Sequence, residues 1–320
     1  MITNQQLRKI GFYTKGILEN LFVPDAFYRS RLDQKLHRLD LLDDHWRQEI
    51  LDRVAYYHPY EQPFPVPESA LPLKRIFRTK ATYYFDHRRI LRHFPADLRT
   101  AFRFGDVRDV SEFPRMVKTR PLREPHETSI LMRHNSIRHF RPIRDTTSFK
   151  NKKDLVVWRG KVMKDHRRTI FRKYFDHPLC HLGAISKTSD PEIGQWLKPF
   201  MTVSDQLRYK FILSVEGNDV ATNLKWISQS NSLCLMTKPK FESWFMEGTL
   251  KPGIHYVELR DDYSDLPEKL DHFLAHPEEA LEIIANFKAY HDRFREPATE
   301  ELIGLLVAHK YLRLSGQLAI

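Results

Sequence analysis

The stretch Lys210–Met236, KFILSVEGNDVATNLKWISQSNSLCLM, contains two apolar runs, FILSV and LCLM, that flank a polar insert. The insert opens with Glu216, Gly217, Asn218 and Asp219, and the segment ATNLKWIS that follows has the spacing of an amphipathic helix. The pattern predicts a strand, a turn, a short helix and a second strand. In α/β proteins, ligands bind at such a turn and at the first turn of the helix that follows it.

The same insert predicts an anion site, although a capped helix after a strand would explain it equally well. Gly217 would form the tight turn, and Asn218 or Asp219 could cap the helix. The first backbone N–H groups of the helix would then point at the anion, and Lys225 would add formal charge. The candidate binding residues of this insert are Glu216, Gly217, Asn218, Asp219, Val220, Ala221, Asn223 and Lys225.

Short apolar runs alternate with helical patterns from about residue 153 onward, which predicts a parallel sheet in the second half of the chain. Residues 1–60 have helical spacing, whereas TYYFDHRRILRHFP (82–95) resembles a strand or short mixed elements. We therefore predict two α/β lobes that meet near RDTTSFKNKK (144–153). Residues 1–148 would form the first lobe with a helical N-terminal extension. Residues 149–320 would form the second, and the last helix could pack back on the first lobe.

The composition narrows the class of protein. The chain has 320 residues, 41% of them hydrophobic, and a net charge of +11. Cys180 and Cys234 lie in apolar runs and imply no disulfide framework, and no apolar segment suggests a signal peptide or a membrane span, so we expect a cytoplasmic protein.

Residues 115–173 hold 18 Lys or Arg against 5 Asp or Glu. This segment is either a solvated basic surface or a site for phosphates, anionic lipid headgroups or nucleic acid.

Two further segments carry residues suited to catalysis. FRFGDVRD (102–109) places Asp106 and Asp109 just after a strand-like run, where either could be a general base or simply a turn residue. In VVWRGKVMKDHRR (156–168), Arg167 or Arg168 on the first turn of a helix could bind a diphosphate. No metal site is predicted, because HPLCH (177–181) lacks a second ligand cluster and the chain contains no Asp-x-Asp.

The order of RFGDVRDVSEFPRMVKTRP, VVWRG, HPLC, the opening stretch, FESWF and GIHYVELRDDYSDLPEKL resembles glycosyltransferase family 90 over roughly residues 80 to 295. This CAP10-like group includes bacterial lipopolysaccharide-modifying proteins and eukaryotic protein O-glucosyltransferases. The resemblance implies a GT-B-like fold, in which two Rossmann-like lobes enclose a cleft and the C-terminal lobe holds the nucleotide sugar. It also implies metal-independent, inverting transfer with no cofactor.

The resemblance also implies roles for individual residues. In eukaryotic members the base is the Asp of an Arg-Asp dipeptide, which matches Arg108-Asp109. Bacterial members are more similar to this chain at the preceding Gly105-Asp106. Both acids therefore remain candidates for the base, and Asp109 is slightly preferred. Asn223 replaces an Arg that eukaryotic members carry, which leaves Lys225 as the nearest cation. The implied donor residues outside the opening stretch are Arg159, Gly160, Lys161 and Arg167.

The predicted function is therefore transfer of a sugar from a UDP-sugar to a hydroxyl of lipopolysaccharide or another surface glycan. The basic surface would suit peripheral contact with the anionic inner face of the bacterial inner membrane. The alternative is a non-enzymatic binder of an anionic polymer such as nucleic acid, which the resemblance disfavours.

Overall fold

The structure is a computed structural model that describes residues 4–76, 81–123, 125–186 and 188–319. The chain forms two compact units. Unit 1 comprises Met1–His139, Lys240–Met246 and Phe294–Ile320, and unit 2 comprises Phe140–Pro239 and Glu247–Arg293. The chain thus passes between the units several times, and its first passage is at residues 139/140, compared with the predicted 148/149.

Helices make up most of the first 95 residues and the last 55. None of the helices in the described ranges is long and apolar enough to cross a membrane. The α-helices are α1 (Asn4–Phe22), α2 (Asp25–Arg29), α3 (Leu32–His37), α4 (Asp44–Tyr57), α5 (Ala81–Leu91), α6 (Ser136–His139), α7 (Asp165–Tyr174), α8 (Pro191–Gly194), α9 (Val203–Gln206), α10 (Leu224–Ile227), α11 (Leu266–Ala275), α12 (Pro277–Asp292) and α13 (Pro297–Leu314).

The strands are short in unit 1 and longer in unit 2. They are β1 (Leu71–Pro72), β2 (Arg99–Thr100), β3 (Phe102–Arg103), β4 (Arg115–Val117), β5 (Thr119–Pro121), β6 (Ser129–Leu131), β7 (Lys153–Gly160), β8 (Cys180–Ala184), β9 (Tyr209–Leu213), β10 (Leu233–Thr237), β11 (Phe241–Ser243) and β12 (Val257–Leu259). Short 3-10 turns occur at Leu73–Arg75, Phe149–Asn151 and Glu247–Thr249.

Unit 2 is built on a five-stranded parallel sheet with the order β12–β10–β9–β7–β8. β8 and β9 both follow β7 along the chain, but they pair with opposite edges of it. Successive strands are therefore added on one side of β7 up to β8 and on its other side from β9 onward, so the strand order reverses between β7 and β9. In open α/β sheets, ligands bind beyond the carboxyl ends of the strands at such a switch point. The predicted α/β class and parallel sheet are confirmed.

Side chains of β7 point alternately to the two faces of the sheet, and this alternation sets the direction of the site candidate Arg159. Trp158 is buried against Phe171 of α7, with ring centroids 5.7 Å apart, inside the main hydrophobic core of unit 2. Successive residues of a strand point to opposite faces. Arg159 therefore faces away from that core, toward His181 of β8.

Unit 1 contains the helices α4, α5 and α13, which pack on one another around aromatic side chains. Tyr57 of α4 stacks on Trp244 with ring centroids 3.9 Å apart. Glu300 of α13 is buried, accepts a hydrogen bond from Trp244 Nε1 at 2.6 Å and forms an ion pair with Arg53 at 2.7 Å. The buried carboxylate is paired, as burial of a charge requires.

A small parallel sheet of unit 1, with the order β3–β4–β6, positions the two acidic candidates. The loop between β3 and β4 contains both Asp106 and Asp109. Gly105 begins this loop with φ of 109°, a conformation that is readily available only to glycine.

The prediction of a strand or mixed elements at 82–95 is wrong for most of that segment, because residues 81–91 form α5. Its buried residues Tyr83, His87, Ile90 and Leu91 recur at intervals of three and four, the period of a helix. The aromatic and polar residues between them conceal this spacing in the sequence.

Candidate functional site

Arg167 of α7 binds the carbonyl oxygens of two backbone segments at the switch point of the unit 2 sheet. Its Nη1 donates to the carbonyl oxygen of Lys161, just after β7, at 2.8 Å. Its Nε and Nη2 donate to the carbonyl oxygens of Glu216 and Val215, just after β9, at 2.8 and 2.9 Å. The guanidinium therefore lies between the carboxyl ends of β7 and β9, where this sheet type binds ligands.

The charge of Arg167 is not neutralised by an ion pair. Within the described part of the chain, its hydrogen bonds go to carbonyl oxygens, and no carboxylate lies within ion-pair distance. Its guanidinium lies over the Trp158 ring, 5.2 Å from the centroid, and burial lowers the pKa of Arg167 to about 10. It remains charged at neutral pH. Because guanidinium has five N–H groups, two are left for an anionic ligand.

Gly217 and His166 shape the position beside this guanidinium. A Cβ atom on Gly217 would lie 3.2 Å from Arg167 Nη2, so a side chain here would crowd the cation. His166 Nε2 donates to the carbonyl oxygen of Glu216 at 2.8 Å. The predicted residues Lys161, Glu216 and Gly217 therefore meet at Arg167, and they do so through their backbones.

Arg159 and Gly160 do not join this group. Arg159 Nη1 donates to the carbonyl oxygen of His181 at 2.7 Å, and its Nε donates to that of Pro199 at 3.2 Å, on the face of β7 opposite to Trp158. At Gly160, an added Cβ would lie 2.5 Å from the Trp158 ring. Gly160 is therefore needed for the packing of the indole beneath Arg167, rather than for direct approach of a ligand.

The helix predicted after Gly217 is shorter and starts later than expected. α10 spans four residues, and its N-cap is Asn223, whose side chain makes no capping hydrogen bond. Asn218 and Asp219 do not cap it, so that prediction is wrong. Instead, Asn223 Nδ2 donates to the carbonyl oxygen of Leu213 at 2.7 Å and ties the insert to the end of β9. A helix of four residues offers little dipole for anion binding.

The side chains between Gly217 and α10 differ in exposure. Asn218 is exposed, whereas Asp219, Val220 and Ala221 are buried. The backbone N–H of Gly217 donates to the carbonyl oxygen of Asp219, two residues further along the chain, at 2.9 Å.

Lys225 does not lie where a phosphate-binding cation is needed. Its side chain is fully buried, and its Nζ forms an ion pair with the buried carboxylate of Glu247. Its charge is already compensated within unit 2. The predicted role of Lys225 in charge supply therefore does not fit this location.

Tyr263 is a site candidate that the sequence analysis missed. It follows β12, has φ of 60°, and is buried close enough to Arg167 for the two to affect each other's pKa. Non-glycine residues in this region are strained and often occur at functional sites. Nothing in the sequence RDDYSD indicates the positive φ.

Asp109 is held by two arginines. Its Oδ1 and Oδ2 accept from Arg103 Nη1 at 2.7 and 2.8 Å, and its Oδ2 also accepts from Arg115 Nη2 at 2.8 Å. The hydrogen bond from Arg115, together with both positive charges, holds the pKa of Asp109 below its usual value. Because Arg103 lies in β3 and Arg115 in β4, Asp109 connects these strands.

Asp106 has a different environment. Its Oδ1 accepts from Lys118 Nζ at 2.7 Å, and the Lys118 side chain is buried whereas that of Asp106 is 40% exposed. Lys118 also lies over the ring of Tyr83, 6.0 Å from the centroid. Asp106 thus presents a partly exposed carboxylate that is paired with a buried cation.

Groups that could hold a metal lie away from these residues. His181 of HPLCH is held by both ring nitrogens: Nε2 accepts from Arg159 Nη2 at 3.0 Å, and Nδ1 lies 2.5 Å from the Tyr209 hydroxyl. In the described ranges, one group has ligand atoms within 4.8 Å of one another: the exposed residues His272, His276 and Glu279. A hydrogen bond of 2.8 Å between His272 and Glu279 accounts for part of this arrangement without an ion.

Among the described residues, the parallel sheet of unit 2 carries at its switch point an arginine without an ion-pair partner, the position at which sheets of this type bind ligands. Comparison with known families is more specific, because residues 126–294 match the model of glycosyl transferase family 90. The chain belongs to this family and is a glycosyltransferase, which confirms the predicted resemblance. A glycosyltransferase requires a sugar donor and an acceptor.

Individual relatives agree with this assignment. The chain is 41% identical to O-glucosyltransferase LpsA of Dichelobacter nodosus over 312 residues, 97% of each chain. It is 26% identical to human Protein O-glucosyltransferase 3 over 142 residues, which are 42% of this chain and 27% of the human protein. Protein O-glucosyltransferase 2 of Danio rerio is 33% identical over 82 residues, 25% of this chain and 16% of that protein.

Proposed function

We propose that this glycosyltransferase transfers glucose from UDP-glucose to a hydroxyl group of lipopolysaccharide or another surface glycan, with inversion and without a metal ion. The similarity to a protein named O-glucosyltransferase LpsA, which extends over 97% of both chains, supports the choice of sugar. No observation specifically favours the nucleic-acid binder.

The observation that carries the proposal is the uncompensated guanidinium of Arg167 between the ends of β7 and β9. A partly buried cation without a carboxylate partner gains most from a ligand that brings negative charge. The diphosphate of a nucleotide sugar is such a ligand. Charge develops on it as the sugar leaves, so Arg167 would stabilise the transition state more than the ground state.

We assign the general base to Asp106 rather than Asp109. Both oxygens of Asp109 accept hydrogen bonds, from Arg103 and Arg115, so an acceptor hydroxyl would compete with two guanidinium groups for them. Both side chains are partly exposed, 40% for Asp106 and 53% for Asp109, but Asp106 Oδ1 is held by Lys118 Nζ rather than by two guanidinium groups. In the reaction, Asp106 takes the proton of the acceptor hydroxyl, whose oxygen bonds to the anomeric carbon as the bond between that carbon and the diphosphate oxygen breaks.

The division of labour between the two units is also part of the proposal. Unit 2 would be the Rossmann-like donor lobe and unit 1 the acceptor lobe of a GT-B-like enzyme. Arg167 would then replace the divalent ion that other glycosyltransferases use to bind the diphosphate. The enzyme would act in the cytoplasm, at the inner face of the bacterial inner membrane.

The test is release of UDP from UDP-glucose in the presence of a lipopolysaccharide core oligosaccharide and EDTA. NMR of the product would report the anomeric configuration. We expect turnover in EDTA with inversion. Asp106→Asn should lower kcat about 100-fold or more, the usual contribution of a general base.

Asp109→Asn is the matched control, because it removes a similar charge three residues away. It should reduce thermal stability yet keep kcat within about tenfold of the wild type. A requirement for divalent metal, retention of configuration, or loss of turnover in Asp109→Asn but not in Asp106→Asn would each contradict the proposal. Turnover with another nucleotide sugar but not with UDP-glucose would contradict the choice of donor.

A further inference from the structure

The outward face of α1 is apolar, which is unusual for a helix on the surface of a protein. At 100° per residue, five exposed large side chains of α1 fall within about 120° of its circumference. They are Leu7, Ile10, Leu18, Leu21 and Phe22, with exposed fractions of 52%, 53%, 48%, 71% and 74%. We call these five residues the α1 stripe.

The opposite face of α1 holds the helix against unit 1. A Cβ on Gly16 would lie 2.5 Å from the Phe85 ring of α5, so the two helices are in close contact there. Phe12 and Tyr13 contact the same ring edge-on, with centroids 6.1 and 6.2 Å apart. Asn20 accepts from Arg88 Nε at 3.0 Å. Because this packing fixes the rotation of α1, the α1 stripe stays directed outward.

Charge decides which partner suits the α1 stripe. Between Leu7 and Phe22 the charged residues are Arg8, Lys9, Lys15 and Glu19, and Arg8 and Lys15 lie just beside the stripe. A second copy of this chain would be repelled, because each copy has a net charge of +11. An anionic bilayer supplies both apolar depth and opposite charge, the two features that bind an amphipathic helix parallel to a membrane surface.

We propose that α1 is a membrane-docking helix, with the α1 stripe inserted at the boundary between headgroups and acyl chains of an anionic bilayer. Arg8 and Lys15 then contact lipid phosphates. The helix lies in the plane of the surface over about 28 Å, since its 19 residues rise about 1.5 Å each. This inference depends on the surface of α1 alone and not on the sugar, the acceptor or the catalytic base.

The experiment is co-sedimentation of the full chain with phosphatidylcholine vesicles, with and without phosphatidylglycerol. We expect binding to the anionic vesicles that weakens with salt, and much weaker binding to phosphatidylcholine alone. The variant Leu18→Ser, Leu21→Ser, Phe22→Ser should bind anionic vesicles at least about tenfold more weakly, because each side chain loses its apolar burial. These positions are exposed, so the fold should be retained.

The matched control replaces three exposed apolar residues of unit 2 instead: Phe200→Ser, Ile254→Ser and Leu281→Ser. It should bind vesicles like the wild type. Equal binding by the stripe variant and the wild type would overturn the proposal, as would absence of binding to any vesicle. A wild-type dimer that the stripe variant converts to a monomer, without vesicle binding, would assign the stripe to a second copy. UDP release with a soluble oligosaccharide acceptor should be unchanged in the stripe variant, which separates this test from that of the proposed function.

Discussion

Replacing Arg167 by lysine is the sharpest test of the diphosphate site, because it keeps the charge and removes the planar fork. Arg167 makes three hydrogen bonds of 2.8 to 2.9 Å to carbonyl oxygens that belong to two separate segments. A lysine ammonium cannot reach both segments in the same geometry. Loss of two of these bonds, at about 1.5 kcal/mol each, lowers the free energy of unfolding by about 3 kcal/mol.

The effect on ligand binding follows from the two N–H groups that remain. If both donate to diphosphate oxygens, their replacement by a single point charge costs about 1.5–3 kcal/mol of binding free energy, or roughly 10- to 100-fold in Kd. Isothermal titration of UDP in EDTA measures this change directly. Urea unfolding without ligand measures the loss of stability separately.

Arg168→Lys is the control, because Arg168 is the adjacent residue of the same helix and binds Asp190 and Glu192 at 2.7 Å instead. Its UDP affinity should stay within about twofold of the wild type. The reasoning is refuted if folded Arg167→Lys binds UDP as tightly as the wild type, or if Arg168→Lys loses as much affinity.

Two further predictions concern buried groups. Lys225→Met removes the buried cation that forms an ion pair with the buried carboxylate of Glu247 and should lower the free energy of unfolding by about 3–5 kcal/mol, as measured in urea. The UDP affinity of the folded fraction should not change. A large loss of affinity would indicate that Lys225 does contribute to donor binding. Burial lowers the pKa of His87 to about 3, from 6.5, so folding requires the neutral ring. The contribution of His87 is complete above pH 6.5 and falls by about 1.4 kcal/mol for each unit of pH below it. His87→Gln should therefore show a shallower loss of stability between pH 6 and pH 4 than the wild type, and an unchanged slope would contradict the assignment.

Local patterns predicted four of the five strands of the unit 2 sheet, β7, β9, β10 and β12, but not β8. The runs LVVW, FILSV, SLCLM and VEL are short, apolar and separated by helical or polar segments, which is the signature of buried parallel strands. From this the carboxyl edge of the sheet, and with it the turn at Gly217, could be placed. The order of motifs also indicated the family, which the family match confirms.

What the sequence could not determine is the direction and partner of each charged side chain. Lys225 and Asn223 lie two residues apart, yet one is buried against Glu247, 22 residues away, and the other binds Leu213 at the end of β9. Residue type and helical spacing predict that a cation is present, but not whether a carboxylate from a distant segment already neutralises it.

Strand β7 is a second example, in which the sequence could not predict the contacts of two adjacent residues. Arg159 and Trp158 are neighbours, but the pleat sends them to opposite faces, so Arg159 binds His181 while Trp158 lies beneath Arg167. The sequence by itself determined the α/β class, the parallel strands and the family, because these depend on local periodicity and motif order. Only the tertiary structure decided that Arg167 has no ion-pair partner among the described residues and that Asp109 is held by two arginines. Those outcomes depend on contacts between segments that meet only when the chain is folded.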